Sequence, residues 1–247
     1  MALFDRARGY LTVRMRKDWH FRRVMETAPA MRWLDPRSGE RILDIGCGEG
    51  TYNYRMARRG AVVVGFDLDR KALRTAADHH GGRGVIYLQS DADAIPVKSN
   101  SFDTVVSLCV FEHLRNDGQV LEEAHRALRP GGRLLLTLDS LSRPDVPEGW
   151  RDWHRDKHAV RQFYTVPTIK AKLEEHGFRL NRSRYLLSAP VDMRFIRWSY
   201  ATERMHAISA AIVRTFLVTV GRVLCTWADA RSRAENGWTL MIEASRI

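Results

Sequence analysis

The segment RILDIGCGEGTY, residues 41–52, constrains the fold more than any other stretch of the chain. A short apolar strand runs directly into Gly46, Cys47, Gly48, Glu49 and Gly50, and a helix starts behind them. Glycines at such a strand end let the backbone approach a ligand without side-chain interference. A dinucleotide-binding loop wants a third small residue at position 51, where the helix packs beneath a pyrophosphate. Thr51 stands there and Gly50 comes one place early, which weakens a nicotinamide-oxidoreductase reading.

After that loop the pattern alternates. Strands are predicted at 41–45, 61–66, 84–89, 103–108 and 133–138, with helices at about 50–59, 69–78 and 117–128. Alternation of this kind implies a parallel sheet with helices on both faces. Ahead of it, Leu3, Tyr10, Val13, Val24 and Met25 are interleaved with arginines as in one or two amphipathic helices. Pro36, Ser38 and Gly39 break that pattern, so residues 1–38 are predicted to be an N-terminal helical cap and 39–247 the main domain.

Beyond the fifth strand, LSRPDVPEGWRDWHRDKH has no clean periodicity and is predicted to be a functional loop. A helix beginning around Thr165 to Pro167 is stopped by Gly177, and a strand near 179–187 follows. Residues 196–228 are predicted to be one long helical stretch before the closing strand GWTLMIEASR, so a helical insertion at about 190–235 separates the last two strands. Its most apolar part, AISAAIVRTFLVTVG, is cut by Arg214 and bounded by Arg222. It falls short of the roughly 18 uncharged residues expected of a membrane span.

Cys47, Cys109 and Cys225 have no paired spacing and no histidines at metal-ligand intervals, so neither disulfides nor a metal site is expected, and a cytoplasmic setting fits. The arginine-studded start carries no apolar run of the secretory kind. The net charge of +11 is uneven: +4 in residues 1–40, +1 in 41–178 and +6 in 179–247. Basic ends favour an anionic partner, whether an acidic substrate, a membrane surface or RNA.

Two further motifs follow the glycine loop. VVVGFDLD ends a strand with Asp67 about 20 residues on, where a carboxylate can accept from both hydroxyls of a ribose. In LQSDADAIPVKSNSFDTVVS, Asp91 follows a strand and can accept from an adenine amino group, with Asp91 and Ala92 flanking the base. Together with LRPGGRLLLT, these segments resemble the class I S-adenosylmethionine-dependent methyltransferases, particularly the type 11 family, from about Arg41 to Leu138.

The resemblance implies a Rossmann-like αβα sandwich with a mainly parallel seven-stranded sheet whose last strand is antiparallel. It implies S-adenosyl-L-methionine as cofactor, with Gly46, Gly48 and Gly50 near its methionine moiety, Asp67 on the ribose and Asp91 on the adenine. Asp44 would lie near the ligand's ammonium group or support the loop. Cys47, Leu68, Ala92 and Leu108 complete the implied cofactor set.

The acceptor side is less defined. SLCVFEHLRN departs from the asparagine-proline-proline-aromatic motif of many methyltransferases acting on nucleic-acid bases, which makes RNA the weaker candidate. His113 stands just past the fourth strand, where the resemblance implies a histidine close to the sulfonium that orients or deprotonates an acceptor, against a capping or packing role. Trp150, Trp153, His154 and His158 follow the carboxyl end of the fifth strand, where open α/β sheets present ligands. His113, His154 and His158 are thus the candidate bases, while Cys109 reads as core. The apolar faces of the two appended helical regions suggest a small or lipid-like acceptor and peripheral membrane contact. The rivals are RNA methylation and a non-catalytic docking module.

Overall fold

The computed structural model describes residues 20–82, 84–232 and 234–247. The predicted helical start therefore lies outside the described residues up to position 19, and its visible part is α1, Phe21–Leu34.

Seven strands form one sheet: β1 Arg41–Ile45, β2 Val62–Asp67, β3 Val85–Gln89, β4 Phe102–Leu108, β5 Leu128–Asp139, β6 Phe178–Leu186 and β7 Thr239–Arg246. Their order is β3-β2-β1-β4-β5-β7-β6. The first five are parallel, and β7 runs antiparallel between β5 and β6. This is the architecture the resemblance implied. The chain steps outward from β1 to β3 and returns to pair β4 on the other side of β1, so the order reverses between β1 and β4. Open α/β sheets bind their ligands at the carboxyl ends of strands beside such a reversal.

Burial explains why these strands read as apolar runs. Ile42, Leu43, Ile45, Val105, Val106, Leu134 and Leu136 are almost fully buried, since helices cover both faces of the sheet. The helices between the strands start on recognisable caps. Asp69 accepts from Lys71 N and Ala72 N to open α3, Arg70–His80. Asn116 accepts from Gln119 N to open α4, Asp117–Ala127. The short α2, Thr51–Ala57, starts directly from Gly50.

The insertion has a core of its own. Phe21 and Met25 of α1 pack with Leu141, Leu187, Phe195, Leu217, Cys225 and Trp238. At roughly 1.5–3 kcal/mol for each large apolar side chain fully withdrawn from water, this cluster is enough to fix α1 and the inserted helices on the carboxyl edge of β5.

Three expectations are corrected. The predicted loop after β5 contains a helix, α5, Trp150–His158, which begins after Gly149 at φ +75°. Trp150, Trp153, His154, Lys157 and His158 are spaced along one face of it. After α6, Val166–Glu175, the predicted single helix at 196–228 is two. These are α7, Asp192–Ala201, and a helix from Ala207 to Arg231, separated by a tight turn and the extended Met205. The second runs as α8, Ala207–Phe216, a π turn Leu217–Gly221, and α9, Arg222–Arg231. Because it continues past Arg222 to 25 residues, with an 18-residue window of mean hydropathy 1.7, it does reach the length and composition of a membrane span.

Candidate active site

The first four strands deliver the predicted cofactor residues to one edge. Gly46, Gly48 and Gly50 have φ of +75°, +53° and +72°, the left-handed region that favours glycine. A Cβ on Gly46 would come within 2.5 Å of Val110 Cγ2, so the glycine loop and the segment after β4 close on each other with room only for hydrogen. Gly46 N and Cys47 N both donate to Phe66 O, tying the loop to β2.

Asp67 Oδ2 accepts from Gly48 N at 2.8 Å and Oδ1 from Asp69 N at 2.9 Å. An ionised carboxylate has about four acceptor positions, so two remain for ligand hydroxyls. Leu68 beside it is 62% exposed, an apolar surface at the mouth of the site. Asp91 is exposed past β3 with Ala92 buried behind it, and Leu108 is half-buried at the end of β4. The glycine cradle, the carboxylate with spare acceptor positions and these apolar flanks fit a nucleoside. Cys47 is placed differently from its neighbours: its side chain turns inward, where a Cβ on Gly65 would meet its Sγ at 2.9 Å. Asp44 is buried on β1, and together with Cys47 it adds to the effect of burial in raising the Tyr87 phenol pKa.

The neighbouring edge, at the ends of β4 and β5, holds a buried polar cluster. Asp139 Oδ2, on the last residue of β5, lies 2.6 Å from His154 Nε2. His154 Nδ1 is 3.3 Å from the Tyr200 hydroxyl, to which Arg22 Nη1 donates at 3.0 Å. Arg22 also lies 3.5 Å from Asp139 and 3.3 Å from Glu26. One proton arrangement satisfies these contacts. Nε2 carries the proton and donates to Asp139, and Nδ1 is the basic nitrogen, accepting from Tyr200, whose oxygen in turn accepts from Arg22. Burial would raise the Asp139 carboxyl, but the Arg22 charge and the His154 hydrogen bond outweigh it and hold the pKa at about 2.

Glu112 is the opposite case. It is buried, its carboxyl oxygens have no hydrogen-bond partner among the described residues, and burial together with the Asp139 charge pushes its pKa well above the usual range. Two buried carboxyl groups, one at the end of β5 and one just past β4, are thus shifted in opposite directions by their surroundings. Cys109, at φ +55°, is buried with its Sγ donating to Glu26 Oε2 at 3.4 Å and lying 3.4 Å from Thr137 Oγ1. Burial, then Glu26 and Glu112, raise its thiol pKa, so it is no nucleophile.

The three predicted histidines lie on one side of this cluster. The His158 ring stands 4.5 Å from that of His154. Burial and then His154 lower the His158 pKa to about 4. His113 Nδ1 lies 3.3 Å from Ala159 O, next to His158, and crowding by the surrounding chain lowers its pKa although its surface is open. Aromatic rings wall the cluster: Trp153 meets Tyr200 edge-on at 5.0 Å, and Trp238 meets His154 at 5.6 Å. Arg22, Glu26, Glu112, Asp139, Tyr200 and Trp238 were not singled out from sequence. Only Asp139, a carboxylate closing a parallel strand, carried a readable signal.

Residues 43–136 match the family model described as a methyltransferase domain, Methyltransf_11. A ubiquinone biosynthesis O-methyltransferase of Parvibaculum lavamentivorans is 29% identical over 165 residues, 60% of this chain and 62% of that protein. The chain thus spans less than two thirds of that relative's length. Among solved structures, phosphoethanolamine N-methyltransferase 2 of Haemonchus contortus with S-adenosyl-L-methionine has a TM-score of 0.66 at 21% identity. That match covers 90% of this chain and 52% of the other. The [4+2]-cyclase SpnF reaches 0.65 at 19% identity, covering 91% and 81%.

Proposed function

We infer that this chain, built around an S-adenosylmethionine-dependent methyltransferase domain of type 11, methylates a hydroxyl of a small, lipid-like acceptor. The observation that carries the reading is the Asp139–His154 hydrogen bond of 2.6 Å at the carboxyl end of β5, walled by aromatic rings. A relative named for O-methylation in ubiquinone biosynthesis supports a hydroxyl on an apolar molecule.

When bound, S-adenosylmethionine would supply an electrophilic methyl carbon, whose bond to the positively charged sulfur breaks as the acceptor oxygen bonds to it. The chain's own residues then have three tasks. The glycine loop would hold the methionine end of the cofactor and Asp67 the ribose, with Asp91 at the adenine and Leu68 beside Asp67. Asp139 fixes His154 with Nδ1 basic, so that this nitrogen takes the hydroxyl proton from the acceptor once Tyr200 yields the position. The ionised Asp139 stabilises the imidazolium that results. Trp150, Trp153 and Trp238 exclude water, and alignment of the reactants supplies much of the rate. His158, whose ring stands 4.5 Å from that of His154, and the exposed His113 are secondary candidates for the base. The three buried free thiols support a reducing, cytoplasmic setting.

The test is transfer of a labelled methyl group from S-adenosylmethionine into fractions of a cell extract. The label is expected in the organic-soluble fraction as a base-stable ether, dependent on His154. Label in RNA, or nucleoside binding with no transfer to any fraction, contradicts the reading. The likeness to a [4+2]-cyclase makes measurement of a methylated product essential, since this fold alone does not dictate transfer.

A further inference from the structure

The helix Ala207–Arg231 presents a face that nothing in the described structure covers. Ile208, Ile212, Phe216, Val220, Val223 and Trp227 are each at least 40% exposed and lie along one stripe. Only 22% of the helix's most apolar window is buried. Nearby, Trp198 of α7 and Met205 extend the same apolar surface. From Ile208 to Trp227 the stripe runs about 30 Å at 1.5 Å per residue, a length unusual on the water-facing side of a domain.

The opposite face is firmly seated. Ala210, Leu217, Gly221, Cys225 and Asp229 are buried. A Cβ on Gly221 would approach Phe195 Cδ1 to 2.9 Å, so the helix lies tight against α7. Asp229 accepts from Leu187 N and Ser188 N, anchoring its last turn. A helix fixed to its domain along one side, with the other side bare, is suited to lie in a surface rather than to cross it.

Charge decides among the possible occupants. Residues 193–231 carry six arginines and two acids. Of the acids, Glu203 is engaged by Lys157 and Asp229 is buried. Arg194, Arg197, Arg204, Arg222 and Arg231 are exposed around the stripe. A second copy docked on this face would set arginines against arginines, with Glu203, already paired with Lys157, as the one exposed carboxylate among residues 193–231 to match them. Residues 1–19, with five Lys or Arg against two Asp, meet the same objection. Anionic headgroups over an apolar interior complement both the stripe and its rim, and tryptophans favour that boundary.

We propose that the 207–231 helix docks this protein in the plane of an anionic lipid bilayer, its Ile212 and Phe216 stripe in the acyl boundary and its arginines on the headgroups. The docking does not depend on the acceptor's identity or on methyl transfer. The direct test is flotation of the full chain with phosphatidylcholine vesicles, with and without phosphatidylglycerol, at low and high salt. The protein is expected to float with the phosphatidylglycerol vesicles, and salt is expected to weaken that binding. The double variant Ile212→Glu/Phe216→Glu should stay unbound while melting at the wild-type temperature, and Arg222→Glu/Arg231→Glu should bind at least tenfold more weakly. Wild-type protein that never floats, a double variant that still floats, or a wild-type dimer that the double variant dissociates in sedimentation would each overturn the proposal.

Discussion

The two halves of the sheet prepare for a ligand in different ways. At the ends of β1 to β4 the work is done by backbone: left-handed glycines, N–H groups tied to Phe66 O, and one carboxylate that clips the loop to β2. At the ends of β4 and β5 it is done by side chains drawn from five separate segments, with Arg22 reaching Asp139 across 117 residues and Tyr200 across 178. The residues of the first half each stand at or just past the end of a strand from β1 to β4. The second exists only once α1, α5, α7 and the strand ends have packed together.

Substitutions should separate the halves, and the largest effect is expected on the acceptor side. His154→Ala should lower the rate of methyl transfer by about 10²–10⁴-fold, the usual contribution of a positioned base, with S-adenosylmethionine affinity within a few-fold of wild type. Loss of both together in calorimetry and rate assays would erase the distinction between halves. Next, Gly46→Ala places a side chain at φ +75° against Val110. A destabilisation of about 1–3 kcal/mol is expected, read by denaturant unfolding, along with weakened nucleoside binding.

The difference in legibility has a physical cause. The glycine loop, Asp67 and Asp91 stand out in the sequence because each is placed by a strand end, and a strand end is a local feature. The α5 face was readable in principle, since Trp150, Trp153, His154 and His158 fall at helical spacing, but the prolines and charged residues around it obscured the period. Glu26, Glu112 and Tyr200 gave no signal, because an acid or a tyrosine on an amphipathic segment looks solvated until tertiary packing buries it. The break at Met205 was missed for a similar reason: the residues on either side are all compatible with a helix.

A smaller effect concerns the insertion that completes the acceptor half. Asp192, buried beside Asp229, has its carboxyl pushed up to about 7 by burial and then by that neighbour. The unfolded chain releases this proton near pH 4, so between about 4 and 7 the folded state binds more protons. This contribution to stability therefore declines as pH rises through that window. Asp139, held at about 2, has the opposite sign, and its contribution is lost only as pH falls below about 4. Asp192→Asn should flatten the decline, melting a few degrees above wild type at pH 8 and with little difference at pH 5. An unchanged pH profile would remove the carboxylate pair from the account. The smallest effect is expected from Leu68→Ala. With 62% of this residue already exposed, folding should be unaffected and nucleoside affinity should fall only a few-fold, about 1 kcal/mol.

The central claim is that the β1–β4 edge binds S-adenosylmethionine through the glycine loop and the Asp67 carboxylate. Calorimetric titration of S-adenosylmethionine into the wild-type chain and into Asp67→Ala tests it directly. Saturable binding by the wild type and at least tenfold weaker binding by the variant are predicted, from the loss of charge-assisted hydrogen bonds worth about 1.5–3 kcal/mol. Absence of binding by the wild type, or equal affinity in the two proteins, would contradict it.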